Sequence, residues 1–367
     1  MTSEERVRGI LSGEAVDRPA FWLGNPVDET KELYYRHFGI GGEAEVLPEE
    51  FLRASQVKTN LSGRRDLELN LAVGSDMVWI SPELDAQSWK HPGRKAMWDF
   101  YDGRERSSLG QPGCFAECED ASAVADFDWP DPRHLDFSSA GKNVKEARDA
   151  GLAVFGGMWM PFFHVAADFF GMENYFVKMY THPEVVEAVT ERIIGFYLEA
   201  NRRCLDLMAG DLVAGFFGND FGTQLDLLIA PELMERFILP YYERLIAQIK
   251  SYGLKVVVHS CGSIDRIIPR LIEAGIEGLH PLQAKAANMD ADNLARKYKG
   301  KIAFIGGVDT QDLLPFGSAE EVYAEVIRLR KAFGDSFVVS PSHEALLPNV
   351  SPEKVMAMRD AAKAVLA

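Results

Sequence analysis

Apolar and polar positions along this chain alternate between two textures. Short runs dense in β-branched and aromatic residues are separated by stretches in which apolar residues recur at helical spacing. The runs are AFWLG at 20–24, DMVWI at 76–80, LAVFGGMW at 152–159, LVAGFFGND at 212–220, KVVVHSC at 255–261, IEGLHPLQ at 276–283, IAFIGGVD at 302–309 and FVVSPSH at 337–343. Helical spacing is read over residues 3–13, with Val7, Ile10 and Leu11 on one side, and through Leu33, Tyr34 and Phe38, where Gly39 can stop it. It returns in KNVKEARDAG, in the long stretch from ENYF to LMAG, and in PELMERFILPYYERLIAQIKSYG, which is one helix or two meeting near Pro240. Each later run is also followed by a helical segment. Apolar runs interleaved with helices indicate parallel strands covered on both faces. Eight such units predict a closed (β/α)8 TIM barrel, a single domain over 1–367, with N-terminal helices. Between about 82 and 140 the rhythm fails and Gly, Pro, Asp and Trp dominate, which predicts a surface insertion. An open doubly wound sheet would need a glycine-rich phosphate loop after an early strand, and none occurs.

Charge narrows the partners. Thirty-nine basic against 55 acidic residues give a formal charge of −16, which repels nucleic acid and anionic membranes. No apolar run reaches the length of a membrane span, and the charged start MTSEERVRGILSGE lacks the apolar core of a signal peptide, so the expected location is cytoplasmic. Four cysteines, Cys114, Cys118, Cys204 and Cys261, are too few for a disulfide scaffold.

In barrel enzymes the reacting groups stand at the C-terminal ends of strands. Here those ends are dense in polar residues: Trp159 to His164, Asn219-Asp220, His259-Ser260-Cys261, His280 to Gln283, Asp309 to Gln311, and Ser342-His343-Glu344. Any one of them could be a helix cap, with Asp220, Asp309 and Ser342 the obvious cases. The fifth run is the most informative. Side chains alternate along a strand, so His259 and Cys261 project to the same side, where an imidazole and a thiol can hold a cation such as zinc. A core histidine beside a small buried cysteine would read the same way. His343 is the natural third ligand, and three protein ligands with one open position describe a catalytic zinc. Asp220 is a base, a partner that orients one of the ligands, or a fourth ligand.

The runs VVVHSCGSIDRIIPRLIEAGIEGLHPLQ, FIGGVDTQDLLPFG and SPSHEALLPNVSPEKV, with GNDFGTQLDLLIAPELMERFILPYY, resemble the uroporphyrinogen decarboxylase superfamily. Within it, the chain looks closest to the cobamide-dependent methyltransferases and their uncharacterised bacterial relatives. Asp76 matches the decarboxylases' catalytic aspartate. Two departures matter. The decarboxylases carry two arginines after the first strand to hold the porphyrinogen carboxylates; Leu23 to Asp28 contains none, and an octacarboxylate would lack its guanidinium partners. The methyltransferases bind zinc through a His-x-Cys pair and a later cysteine, whose place His343 occupies. A histidine there also resembles the decarboxylases' substrate-binding histidine.

The resemblance therefore implies a zinc-dependent methyltransferase, with zinc on His259, Cys261 and His343. It would move a methyl group between a corrinoid, supplied by a partner corrinoid protein, and a thiol, tetrahydrofolate or methylated small molecule. Asp76, Asp220 and His164 are the candidate catalytic groups. Trp159, Phe162, Phe163, Asn219 and Gln283 are candidates for holding substrate, and a homodimer is compatible with the exposed barrel faces. Two alternatives stay open: a metal-free decarboxylase or lyase of a small carboxylated substrate using Asp76, and a non-catalytic barrel that binds a corrinoid or tetrapyrrole.

Overall fold

The computed structural model describes residues 1–41, 63–82, 88–93, 95–101, 107–108 and 110–365. All eight apolar runs contain strands: β1 (Ala20–Phe21), β2 (Met77–Trp79), β3 (Ala153–Gly156), β4 (Ala214–Gly218), β5 (Lys255–His259), β6 (Gly278–His280), β7 (Ala303–Val308) and β8 (Phe337–Pro341). They are parallel and neighbour one another in the order β1-β8-β7-β6-β5-β4-β3-β2. The two ends of that order meet at Asp76. Its N–H donates to the Phe21 carbonyl at 2.7 Å, and its carboxylate accepts the Phe21 N–H at 2.8 Å. A side chain thus completes the seam where strand pairing runs out, and the sheet closes as a (β/α)8 barrel.

Among the described residues the helices before β3 are α1 (Ser3–Ser12), α2 (Asp28–His37), α3 (Arg64–Val73) and α4 (Ser138–Asp149). Between β3 and β5 come α5 (Phe162–Phe170), α6 (Met172–Thr181), α7 (Pro183–Met208), α8 (Pro231–Phe237) and α9 (Leu239–Ser251). The remainder are α10 (Ile268–Ala274), α11 (Ala291–Tyr298), α12 (Leu313–Phe316), α13 (Ala319–Phe333) and α14 (Pro352–Lys363). The segment around Pro240 is two helices, parted at Ile238. The insertion is clasped at its ends by an antiparallel bridge between Trp89 and Leu135, and two short 3-10 turns follow its course. Residues 83–87, 94, 102–106 and 109 within it lie outside the described residues.

The pleat sorts side chains between two cores. Val256 and Val258 face the helices, while Val257 faces the barrel interior with Trp22, Trp79, Phe155, Phe216 and Ile305. Val7, Ile10 and Leu11 of α1 join that interior cluster and stop the N-terminal end of the barrel. A Thr2/Glu5 capping box fixes the start of α1, so the plug enters at a defined place. Among the described residues no helix is long and apolar enough to cross a membrane.

Candidate metal centre at the barrel mouth

At the C-terminal end of β5 the alternation that buries Val257 brings His259 inward, where it is 4% exposed. Gly218 on β4 makes the room: a Cβ there would lie 2.5 Å from the His259 Cβ and 2.3 Å from its carbonyl oxygen. Beyond the strands, the exit loops of β4 and β5 lie together. Asn219 N–H donates to the His259 carbonyl at 3.1 Å, Gly222 N–H to the Cys261 carbonyl at 3.2 Å, and Ser263 N–H to the Thr223 carbonyl at 2.7 Å. Gly262 adopts φ +85°, and a Cβ on it would stand 2.2 Å from the Gly222 carbonyl oxygen. Only glycine permits backbones this close with that dihedral.

The paired loops deliver three donors to one point. His259 Nε2 lies 3.2 Å from Asp220 Oδ1 and 3.4 Å from Cys261 Sγ, and the three atoms are all within 4.8 Å of one another. Asp220 Oδ1 also accepts the Cys261 N–H at 2.9 Å, so one loop aims the carboxylate and the other receives it. Behind the donors, Trp159 stands edge-to-face with His259 at 5.4 Å and tilted against Trp79 at 5.2 Å.

Burial and charge act against each other here. Burial alone would raise the Asp220 pKa, but the hydrogen bond and charge of His259, with the Cys261 amide, hold it well below the usual carboxylate value. Burial alone would lower that of His259, yet the charges of Glu344 and Cys261 and the hydrogen bond to Asp220 bring it well above the ordinary histidine value. The Cys261 thiol is pushed up to about 11 by burial, against the opposing pull of His259. Cys261 is therefore a thiol at neutral pH unless a cation sits beside it.

A second layer lies beneath. His259 Nδ1 is 3.0 Å from His280 Nδ1 and 3.7 Å from Glu344 Oε2. The register His259↔His280 between β5 and β6 places both imidazoles at one level of the interior. Burial, then the charges of His259 and His343, keep His280 well below the ordinary histidine pKa. His280 and Glu344 were readable as polar strand ends but received no role from sequence. The available signal was that two sequential parallel strands both finish on an inward histidine.

Other expected site residues are placed differently. Asp76 precedes β2 and lies at the opposite, α1 end, 2% exposed, bound by Arg6 Nη1 at 2.8 Å, by Arg18 at 2.7 and 2.8 Å, and by Ser3 Oγ at 3.1 Å. It is a seam residue, and the match to a catalytic aspartate fails because Asp76 begins its strand rather than ending it. Asn219, 1% exposed, uses its side chain internally: Oδ1 accepts the Phe163 N–H at 2.9 Å, and Nδ2 donates to the Met160 carbonyl and the Tyr242 hydroxyl, each at 3.3 Å. Phe162 and Phe163 open α5 and are wholly buried against Tyr242 and Tyr175, so they form no substrate wall. His164 Nε2 accepts the Asp220 N–H at 3.0 Å, which makes it a support for the Asp220 loop rather than an acid or base. Gln283 Oε1 accepts the Gly262 N–H at 2.8 Å and tethers the β5 loop. His343 is near, its ring 6.4 Å from that of His259, but it falls outside the donor group, and its Nδ1 accepts the Ala345 N–H at 3.1 Å. Asp220 takes the third place.

No curated protein matches the chain. Among solved structures it superposes on a methyltransferase from Methanosarcina mazei with a TM-score of 0.67 at 17% identity, covering 98% of each chain, a likeness of fold. Residues 111–365 match the uroporphyrinogen decarboxylase (URO-D) family, a span that includes β3 to β8 and every donor at the mouth. The chain belongs to the uroporphyrinogen decarboxylase family.

Proposed function

We propose that the chain is a metal-dependent methyltransferase that moves a methyl group between a corrinoid, carried by a partner protein, and a thiol, tetrahydrofolate or methylated small molecule. The observation that carries this reading is the convergence of Asp220 Oδ1, His259 Nε2 and Cys261 Sγ. Tetrahedral zinc with ordinary bond lengths would set its N and O ligands about 3.4 Å apart and its N and S ligands about 3.6 Å apart. The corresponding separations are 3.2 and 3.4 Å, so the residues fit the ion with small adjustment. A bound zinc would supply the positive charge that keeps a substrate thiol as thiolate at neutral pH.

The residues divide the remaining work. Cys261 and Asp220 each contribute a negative charge and His259 a neutral donor, leaving one tetrahedral position for substrate. Trp159 supplies an apolar flank beside it. The paired Gly222 and Gly262 loops keep the donors in place before an ion arrives. The lyase reading loses its proposed residue, because Asp76 sits at the plugged end of the barrel.

Demethylation of methylcobalamin in the presence of small thiols tests the proposal. Turnover is expected with zinc-loaded protein, with loss on chelation and in Cys261→Ala. Turnover that survives both treatments would refute the assignment of the metal centre to this chemistry.

A further inference from the structure

We propose that the barrel mouth contains a second, inner cation seat, formed by His259 Nδ1, His280 Nδ1 and Glu344 Oε2, for a divalent transition metal. It deepens the reading above, because it shares His259 with the outer donors. The three atoms lie within 4.8 Å of one another, with His259 Nδ1 at 3.0 Å from His280 and 3.7 Å from Glu344. Ligands held about 2.1 Å from one metal are separated by about 3.0 Å at a right angle and by about 3.4 Å in a tetrahedron. The shorter observed distance, 3.0 Å, equals the right-angle value, and the longer, 3.7 Å, is about 0.3 Å beyond the tetrahedral one, a gap that a small side-chain adjustment closes. Two imidazoles and a carboxylate are a donor set for Zn, Co or Fe(II) rather than for a soft thiolate-seeking ion or for Ca and Mg.

The second observation is an orphan. Glu344 is 6% exposed, and its buried Oε2 has no hydrogen-bond partner. Among the described residues no lysine or arginine lies within ion-pair distance of it; its nitrogen neighbours are His259 Nδ1 and His343 Nδ1, each at 3.7 Å. The His343 nitrogen spends its lone pair on the Ala345 N–H and so has no proton to offer the carboxylate. An ion on the outer donors is already balanced by Asp220 and Cys261. Glu344 would then remain a buried carboxylate without a charge partner, a costly arrangement that a second cation removes.

The seat is also built in advance. The Glu344 carbonyl accepts the Asn25 N–H at 2.8 Å, and a Cβ on Gly24 would lie 2.7 Å from that oxygen, so the segment that follows β1 grips the Glu344 backbone at close range. His280 is wholly buried, packed between Trp22 at 5.1 Å and Phe216 at 5.4 Å. With its Nδ1 on an ion, its other nitrogen, buried and without a hydrogen-bond partner, would carry the ring's proton. With the outer position alone filled, His259 is a neutral ligand that keeps its Nδ1 proton. Filling the inner seat as well would release that proton to solvent and leave His259 as an imidazolate bridging the two ions.

Cobalt(II) separates the two seats spectroscopically. Outer-seat cobalt shows sulfur-to-metal charge transfer, and inner-seat cobalt shows ligand-field bands alone. In Cys261→Ala, one equivalent of cobalt is expected to remain without the charge-transfer band. Adding Glu344→Gln, or separately His280→Phe, should weaken that equivalent at least tenfold. Anomalous diffraction from cobalt-soaked Cys261→Ala crystals should place the peak between the two Nδ1 atoms, which gives an answer even if a further variant fails to fold. No cobalt in folded Cys261→Ala, or cobalt indifferent to both further substitutions, would overturn the inner seat. The charge-transfer band of the parent protein reports the outer donors independently, so failure of one seat is distinguishable from failure of the other.

Discussion

The two ends of this barrel treat buried charge in opposite ways. At the α1 end, Asp76 is buried among Arg6, Arg18, Ser3 and the Phe21 N–H, and both of its oxygens are engaged. At the mouth, Asp220, His259 and Cys261 converge, while Glu344 Oε2 and His280 Nε2 below them have no hydrogen-bond partner. A saturated charge cluster holds structure; one whose donors converge while buried polar atoms beneath them stay unpaired is arranged to receive a ligand. The difference teaches that a buried aspartate in a family known for catalysis is not by itself a catalytic one. What its partners leave unfilled decides.

The largest effect expected at the α1 end is from Asp76→Asn. It strips a charge partner from Arg6, which is 5% exposed, and should cost about 3–5 kcal/mol in urea unfolding. Cobalt binding by the folded fraction should be unchanged; a large loss of metal affinity with intact stability would break the contrast between the ends. Next comes Gly262→Ala, whose Cβ would press on the Gly222 carbonyl and whose φ of +85° strains any side chain. About 1–3 kcal/mol of destabilisation is expected, accompanied by weaker metal binding because the donor loops must separate.

A smaller effect follows from acid. The Arg6 hydrogen bond, against a modest opposing effect of burial, lowers Asp17 to about 2. At Asp76 burial pulls upward, but the Arg18 hydrogen bond and charge outweigh it, and its pKa also lies below the ordinary value. A depressed carboxylate contributes stability above its unfolded pKa, and that contribution disappears as pH falls through its folded one. Metal-free protein should therefore keep its seam down to about pH 4 and lose stability from there toward pH 2, read by thermal melts across that range. In Asp76→Asn the same acid slope should be shallower. The smallest effect is expected from His343→Ala, whose ring is 38% exposed and whose removal should change stability by under about 0.5 kcal/mol.

The strands were legible because each is a compact apolar run bounded by turn residues, and all eight lie where the pattern puts them. Two helices are harder to see. Arg64–Val73 has no assignment in the sequence reading, and the start of Phe162–Phe170 falls within the stretch Trp159 to His164 taken there as the end of the third strand. FFHVAADFF is nearly apolar throughout, and its Pro161 N-cap makes no side-chain hydrogen bond, so neither period nor cap marks its start. The His259 and Cys261 pairing was visible because strand alternation fixes direction over two residues. Asn219 and His164 were not separable from substrate ligands, since a polar residue at a strand end looks alike whether it grips a loop or a ligand. Their partners, Phe163 N–H and Asp220 N–H, come from segments distant in sequence. The choice between Asp220 and His343 as third donor also required the loops in three dimensions.

That choice is the centre of the account, and the cobalt(II)–thiolate charge-transfer titration of Asp220→Asn beside His343→Ala tests it most directly. Asp220→Asn is expected to weaken the charge-transfer site by well over tenfold, while His343→Ala stays within about twofold of the parent. An unaffected Asp220→Asn, with the band lost in His343→Ala, would contradict the account and return the third ligand to His343.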